Sequence, residues 1–595
     1  MIIIIIEIIL VILIGIYSVS TWYFFGKDPK KKTIIPEFSE PENISSMFVA
    51  YINGERDSKE ILLEGSSWLT IGSMVSRLLG ALYIIPWGAM FATQRDDANF
   101  LYFIAYNIYA LVLQISTAGI PVAISKIVAD NQSRKDYETS WNIFKGGMLF
   151  MTATGIVSAI VMFVTAPYFA KGGSAQEIQD SIMVIRSLVP AVVIIPPLSL
   201  LRGYYQGYSD MAPSAKSQLW EQIVRIIYML LLTFIVMKLF GGSYAVAVAH
   251  STFAAFVGAV VAFIYLGYKM WKDMPGMKRL MSEGRPARNM SFGRIVFEVI
   301  REALPFVIVT SSIQLISILD QETFQPLAMT FTHLNFEQSK ELLTIFGFNA
   351  NKIIMIILSL AISISTAALP LLASHYSVKN HVEVKNVIEE NIGLYSFIMI
   401  PASVGMAVVA EPIYNVFYSP SKDGTYLLMI SCILCIFMGA FTVFTSIQQS
   451  MQQHMIAIKA LVIALVVKIL WQPMMIYFFE GAGPLWATSL GFILATIYMG
   501  YHLYVQTLFN LKKVAIQLAK VVGISFVMMI VSSLTLLGLK QIINIDGKLM
   551  AMIAVAIVGF VGAIVYGLMS LYTRLADELL GQRMVAIRRK LKMKE

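Results

Sequence analysis

The residues best placed to do chemistry are charged side chains set inside long apolar runs. Arg77 lies in GSSWLTIGSMVSRLLGALYIIP with no acid beside it. Glu221 and Arg225 fall one helical turn apart in SQLWEQIVRII, with Glu first, the favourable order for a pair on one helix face. Lys468 has Ala464 where such an acid would stand, so its charge has no local partner. Arg301 and Glu302 open the run REALPFVIVTSSIQLISILD and Asp320 closes it, while Asn107 and Gln114 are amides within another apolar run. An ion at such a position costs several kcal/mol unless it meets a partner or a wet cavity, so the chemistry implied is ion recognition. Arg77 and Lys468 suit an anionic cargo, and Asp320 is a candidate for cation coupling. Arg301 and Glu302 suit the mouth of a cavity, with Asn107 and Gln114 as weaker polar contacts. Glu221 and Arg225, with Arg202 nearby in LRGYYQG, form a gate or a structural ion-pair group. Shallow Arg186 reads as structural. Cys432 and Cys435, in the apolar run SCILCIF, read as packing residues without the polar access that redox or metal chemistry needs. The sequence has no Walker A loop, no H-E-x-x-H and no long polar segment gathering His, Asp and Ser. It reads as a transporter, neither an enzyme nor an ATP-driven pump by itself.

The elements that must hold these charges are membrane helices. Of the 595 residues 57% are hydrophobic and 14% charged, too few charges to cover an aqueous surface. The apolar runs are roughly 20 residues long, the hydrocarbon thickness divided by the helical rise, and they lack the alternation of barrel strands. One span covers residues 2–25, with no basic leader or small-residue cleavage site, and so reads as retained. Fourteen more centre near residues 78, 111, 156, 192, 228, 255, 311, 362, 400, 435, 470, 495, 530 and 560. Arg77 sits about twelve residues into its span, ~18 Å deep and beyond snorkelling range. Threading the chain alternately places 32 of the 45 Lys and Arg residues on the predicted cytoplasmic side, 8 outside and 5 within spans. That asymmetry follows the positive-inside rule and accounts for the net charge of +9 without a nucleic-acid partner.

The chain also repeats itself. ISTAGIPVAIS at 115–125 matches residues 364–374 at a spacing of 249, with Ser116, Thr117, Ala118, Pro121 and Ser125 identical in both copies. At a spacing of 243, Gln206 meets Gln449, Arg225 meets Lys468 and Ile226 meets Ile469. Six spans separate the copies, so the halves share one orientation and a substrate site is expected between them. The organisation is then an extra span (1–25), a cytoplasmic linker (26–64), an N-lobe of six spans (65–271), a basic loop (272–293), a C-lobe of six spans (294–509), two further spans (510–572) and a basic tail (573–595). In-span prolines (Pro121, Pro190, Pro196, Pro197, Pro305, Pro370, Pro401) suit bent helices in lobes that rock.

SRLLGALYIIP, YNIYALVLQISTAGIPVAISKIVAD and LRGYYQGYSDMAPSAKSQLWEQIVRII together resemble the MurJ and SpoVB/YtgP-type branch of the multidrug/oligosaccharidyl-lipid/polysaccharide exporter superfamily. The third stretch is the most specific, combining R-G-Y-x-Q-G, M-x-P and Q-x-x-E-Q-x-x-R in one order. The resemblance covers residues 65 to about 574. It implies an all-α, polytopic, fourteen-helix two-lobe bundle in a bacterial cytoplasmic membrane, to which this chain adds one N-terminal span. It also implies flipping of an undecaprenyl-diphosphate-linked cell-wall precursor, with lipid II as leading candidate, by a protein expected to be monomeric among membrane lipids. Another lipid-linked unit, of capsule or teichoic type, is the next reading, and cation-coupled drug export follows. No cofactor is expected; membrane potential, sodium or protons are the candidate energy sources. Arg77 in S-R-L-L-G matches the family's first-helix cavity arginine and Arg301 is a loose match to a later one. The second span carries no arginine where the family has one.

Overall fold

The computed structural model describes residues 82–283 apart from 118 and 209, residues 310–580, and the single positions 75, 76, 79, 80, 307, 584 and 588. Arg77, Arg301 and Glu302, and the first span and linker, lie outside the described residues. Everything regular among the described residues is helical.

The N-lobe begins with α1 (Ile84–Met90) and α2 (Arg95–Thr117), followed by α3 (Ile120–Ser133) and α4 (Tyr137–Phe169). The next span is split into α5 (Ala175–Ser187) and α6 (Val189–Gly207). Then come α7 (Ala212–Phe234), continued by a π-helical turn at Ile235–Leu239, and α8 (Tyr244–Glu283). The C-lobe begins with α9 (Ser312–Phe331) and α10 (Phe336–Thr344), which passes through a π-helical turn at Ile345–Ala350 into α11 (Asn351–Ser377). It continues through α12 (His381–Val408), α13 (Ala410–Phe417), α14 (Lys422–Ser450), α15 (His454–Phe479) and α16 (Gly483–Thr507). A hairpin of α17 (Leu511–Ile542) and α18 (Lys548–Tyr572) follows, then the short α19 (Leu575–Leu580).

Short polar segments set these boundaries. Asp136, Ser174, Asn380, Ser421 and Asn510 each cap the helix they precede with a side-chain oxygen on a free backbone N–H, and Asn335 with Gln338 forms a reciprocal capping box. Pro121, Pro190, Pro213 and Pro484 sit in first turns, where a missing N–H costs nothing. Among the described residues, 11 helical stretches are long and apolar enough to cross a membrane, one of them joining α15 and α16 across a three-residue turn at Glu480–Ala482. Large apolar side chains such as Val164, Leu470 and Phe560 are exposed, the reverse of a soluble surface and suited to lipid.

The internal repeat is visible in the packing. Any Cβ added to Gly258 of α8 would lie 2.5 Å from the Glu221 carbonyl oxygen of α7. A Cβ on Gly491 of α16 would lie 2.7 Å from the Ala464 carbonyl of α15. Glu221 and Ala464 are 243 residues apart, the spacing that aligns Arg225 with Lys468. The second repeat differs in one respect. Gly119, at φ 75°, breaks the chain between α2 and α3. Its counterpart Ala368 carries a Cβ that disfavours that conformation, and α11 runs through it unbroken.

The lobes meet along α2. Asn107 accepts at Oδ1 from Gln314 (2.9 Å) and Ser317 (3.2 Å), and donates to Gln321 (3.1 Å), all on α9. Asn99 donates to Asn349 at 3.0 Å. Lys340 of α10 pairs with Asp97 at 2.8 Å and Glu177 at 3.4 Å, and Lys171 pairs with Glu322 at 2.6 Å. Arg95 donates to the Phe417 carbonyl and lies over the Tyr418 ring. These links run from the middle of α2 to the end of the bundle predicted to face outward.

Candidate site at the lobe interface

Two cations approach one aromatic plate from opposite lobes. Tyr102 and Tyr106, one turn apart on α2, stack with centroids 5.5 Å apart. From the N-lobe, Arg225 on α7 donates to the Tyr102 hydroxyl at 3.3 Å and lies 5.5 Å over the Tyr106 ring. From the C-lobe, the Lys352 ammonium on α11 lies 4.9 Å from the Tyr106 centroid, 5.6 Å from that of Tyr102 and 5.4 Å from that of Phe348. Tyr83 donates to Tyr102 at 3.3 Å, and Trp87 packs edge-on against it, its indole N–H held by Ser251 at 2.8 Å. Ring faces attract cations and hold both groups in place without neutralising them. Among the described residues no carboxylate lies within ion-pair distance of Arg225 or Lys352. The helical rise puts Arg225 ~20 Å along its span and Lys352 ~24 Å beyond the start of α10, both deep in the bundle.

Around the plate the polar surface is made of amides and hydroxyls. Asn107, Gln314 and Ser317 lie along α2 and α9, and Gln114 on α2 has a buried carbonyl oxygen without a hydrogen-bond partner among the described residues. Uncompensated cations among neutral donors are complementary to an anion with polar substituents. No cluster of metal-ligating side chains occurs among the described residues.

The structure corrects three expectations drawn from spacing. Glu221 does not pair with Arg225. Its carboxylate takes Arg202 of α6 at 2.7 Å, and Arg202 also donates to Ser217 at 2.9 Å. An i,i+4 pair contributes only about 0.3–0.5 kcal/mol, which a guanidinium bonding two groups on the next helix outcompetes. Arg225 is thereby left with the tyrosines. Lys468 is not an open cation facing cargo either. It is fully buried, and its ammonium pairs with Asp320 at 2.7 Å. Asp320 in turn has its cation supplied by the protein rather than left for a coupling ion. The missing acid on α15 is replaced by one from α9, which sequence neighbourhood does not reveal. Arg186 lies 4.2 Å over the Phe163 ring, and Cys432 and Cys435 are buried free thiols, as their settings in the sequence imply.

Lys352 is the site residue that the sequence reading passes over. The segment from Gln321 to about Asn351 opens with polar residues, as a loop between spans does. In the structure most of it is helix, and α10 continues without a break into α11. The apolar run LLTIFGF was the available signal.

Comparison with known proteins places the chain. Residues 62–376 match the family model described as polysaccharide biosynthesis protein. Over 542 residues the chain is 32% identical to the lipid II flippase MurJ of Bacillus subtilis (strain 168), covering 89% of this chain and 98% of that one. It is also 26% identical over 372 residues to the uncharacterized membrane protein YabM of the same organism, covering 62% and 66% of the two chains. Among solved structures, an inward closed lipid II flippase MurJ superposes with TM-score 0.60 at 15% identity, covering 86% of this chain and 99% of that one. An outward-facing multidrug resistance MATE family transporter superposes with TM-score 0.55 at 16% identity, covering 77% and 96%. The all-α, polytopic exporter fold expected from the sequence is therefore the fold observed among the described residues, with the N-terminal span lying outside them.

Proposed function

This chain belongs to the MurJ-type family of lipid II flippases, multi-pass membrane transporters rather than enzymes, and from that premise we propose that it flips lipid II across the cytoplasmic membrane. The observation that carries this reading is the pair Arg225 and Lys352, one from each lobe, with no carboxylate in ion-pair distance of either among the described residues. Lipid II presents a diphosphate between its sugars and its polyprenyl tail. Moving that headgroup through hydrocarbon requires its charge to be offset and its hydration replaced. The two cations supply the first, with Arg77 as a further cavity arginine. Asn107, Gln114, Gln314 and Ser317 supply donors and acceptors for the sugars. Arg301 and Glu302 are assigned to the inner mouth.

Alternating access then opens a seam where polar contacts toward the outer end are joined by apolar packing of Phe103 on Gly347 and of Tyr102 on Phe348. The outward step is favoured by an inside-negative potential, at about 2.3 kcal/mol per charge per 100 mV. The tail remains in lipid alongside α17 and α18. Export of cationic drugs fits less well, because such cargo calls for acids where this site has Arg225 and Lys352.

The test is depletion of the protein in cells, followed by identification of the lipid-linked precursor retained on the inner leaflet. Lipid II is the expected species, and re-expression of the wild-type chain but not Arg225→Ala clears it. Retention of a capsule or teichoic precursor with normal lipid II turnover overturns the assignment.

A further inference from the structure

Lys468 has surroundings that an ordinary buried ion pair does not require. Its ammonium lies 2.7 Å from Asp320 Oδ1, 2.5 Å from Thr488 Oγ1 and 3.3 Å from the Pro484 carbonyl oxygen. The Thr488 hydroxyl donates to the Pro484 carbonyl at 2.8 Å, so its lone pairs are turned toward the ammonium. Gln472 fixes the acid by donating to Asp320 Oδ1 at 3.2 Å and to Thr323 Oγ1 at 3.1 Å. A carboxylate, a hydroxyl and a carbonyl from α9 and α16 thus face one point, and that point is filled by the end of a side chain from α15. Oxygen donors of these three kinds are what a hard monovalent cation takes.

We propose that this pocket is a monovalent-cation site whose cation is permanently supplied by the protein, as the Lys468 ammonium. Because the charge is tethered, it cannot be exchanged with either side of the membrane. The wild-type chain therefore binds no sodium or potassium here, and its transport cycle draws nothing from their gradients through Asp320. The location gives the pocket a consequence for the lobes. Ser317 and Gln321, which bond Asn107 across the interface, flank Asp320 on α9. A fixed cation holds that helix in one setting, where an exchangeable one would allow its setting to follow ion occupancy.

The experiment truncates the tether and asks whether a free ion takes its place. Purified wild type and Lys468→Ala are melted in choline chloride, and again with sodium, potassium or methylammonium chloride at equal ionic strength. The expected result is a saturable rise in Tm of at least ~2 °C for Lys468→Ala with one or more of these ions, and none for wild type. Adding Asp320→Asn to Lys468→Ala abolishes the rise. If Lys468→Ala folds only when such a cation is present during purification, the inference is equally supported. A Lys468→Ala protein indifferent to all three ions, or unfolded in all of them, overturns it. So does a wild type whose Tm or lipid II flipping depends on sodium or potassium in a manner removed by Asp320→Asn. None of these stability readouts depends on which lipid the protein carries.

Discussion

Arg225 and Lys468 occupy matching places in the two lobes and do opposite things. Both sit on the fifth span of their half, and the close approach of the next helix at Gly258 and Gly491 fixes the same register around them. Arg225 has lost its nearby acid to Arg202, and its charge stays open beside the tyrosines of α2. Lys468 has gained an acid from α9 and is closed off. The backbone frame was duplicated and kept, while the electrostatics diverged. The C-lobe contributes its open cation from Lys352 on a different helix, so the site is two-sided without being symmetric.

The comparison can be broken or sharpened by substitution, the largest effect coming from the closed pair. Asp320→Asn leaves a buried ammonium without counter-charge and is expected to cost about 3–5 kcal/mol, read as a fall in thermal stability. Lys468→Met added to Asp320→Asn removes the second ion and recovers much of that loss. If Asp320→Asn is neutral, Lys468 is not sealed as described. At the open member, Arg225→Ala is expected to lower lipid II affinity by roughly 30- to 100-fold while shifting Tm little, since a charge-assisted contact contributes about 2–3 kcal/mol. Lys352→Ala is expected to cost about tenfold in the same binding assay, its ammonium being a point charge without the guanidinium fork. Non-additive loss in the double variant would place both cations on one anion.

A smaller pair of changes tests the shared frame. Gly258→Ala and Gly491→Ala each push a methyl group against a carbonyl on the neighbouring helix, and each is expected to cost about 1–3 kcal/mol. Comparable losses in the two lobes support a conserved register, and a large inequality argues against it. The smallest effect is expected from Ala368→Gly, about 1 kcal/mol from helix propensity alone, without producing the break seen at Gly119.

Helix positions and the duplicated frame were readable from the sequence because both depend on local signals. Span centres follow apolar length, and the repeat at 243 reappears in the carbonyls beneath Gly258 and Gly491. Partner choice was not readable. Glu221 and Arg225 satisfy every spacing rule for a pair, yet Arg202 lies one helix away and binds more favourably. Asp320 and Lys468 meet across a distance in sequence that no local window spans. Lys352 was hidden by a different cause, the polar start of α10, which resembles a loop until the helix is seen to continue. Charge type and depth are encoded locally, whereas neutralisation is a property of the assembled bundle.

The hairpin of α17 and α18 is fastened to α12 and α13 at both ends. Near one end Glu389 pairs with Lys513 at 2.9 Å and accepts from the Asn510 backbone N–H at 2.8 Å. Near the other, Lys540 pairs with Glu411, and Asn415 donates to the Ile545 carbonyl at 3.2 Å. Midway, Tyr566 donates to the Phe397 carbonyl at 2.8 Å. A beam riveted at three points shares the motion of the body that bears it. The hairpin is thus a passenger of the C-lobe, and its outer attachment at Asn415 lies two residues from Phe417, whose carbonyl takes Arg95 of α2 across the sliding seam.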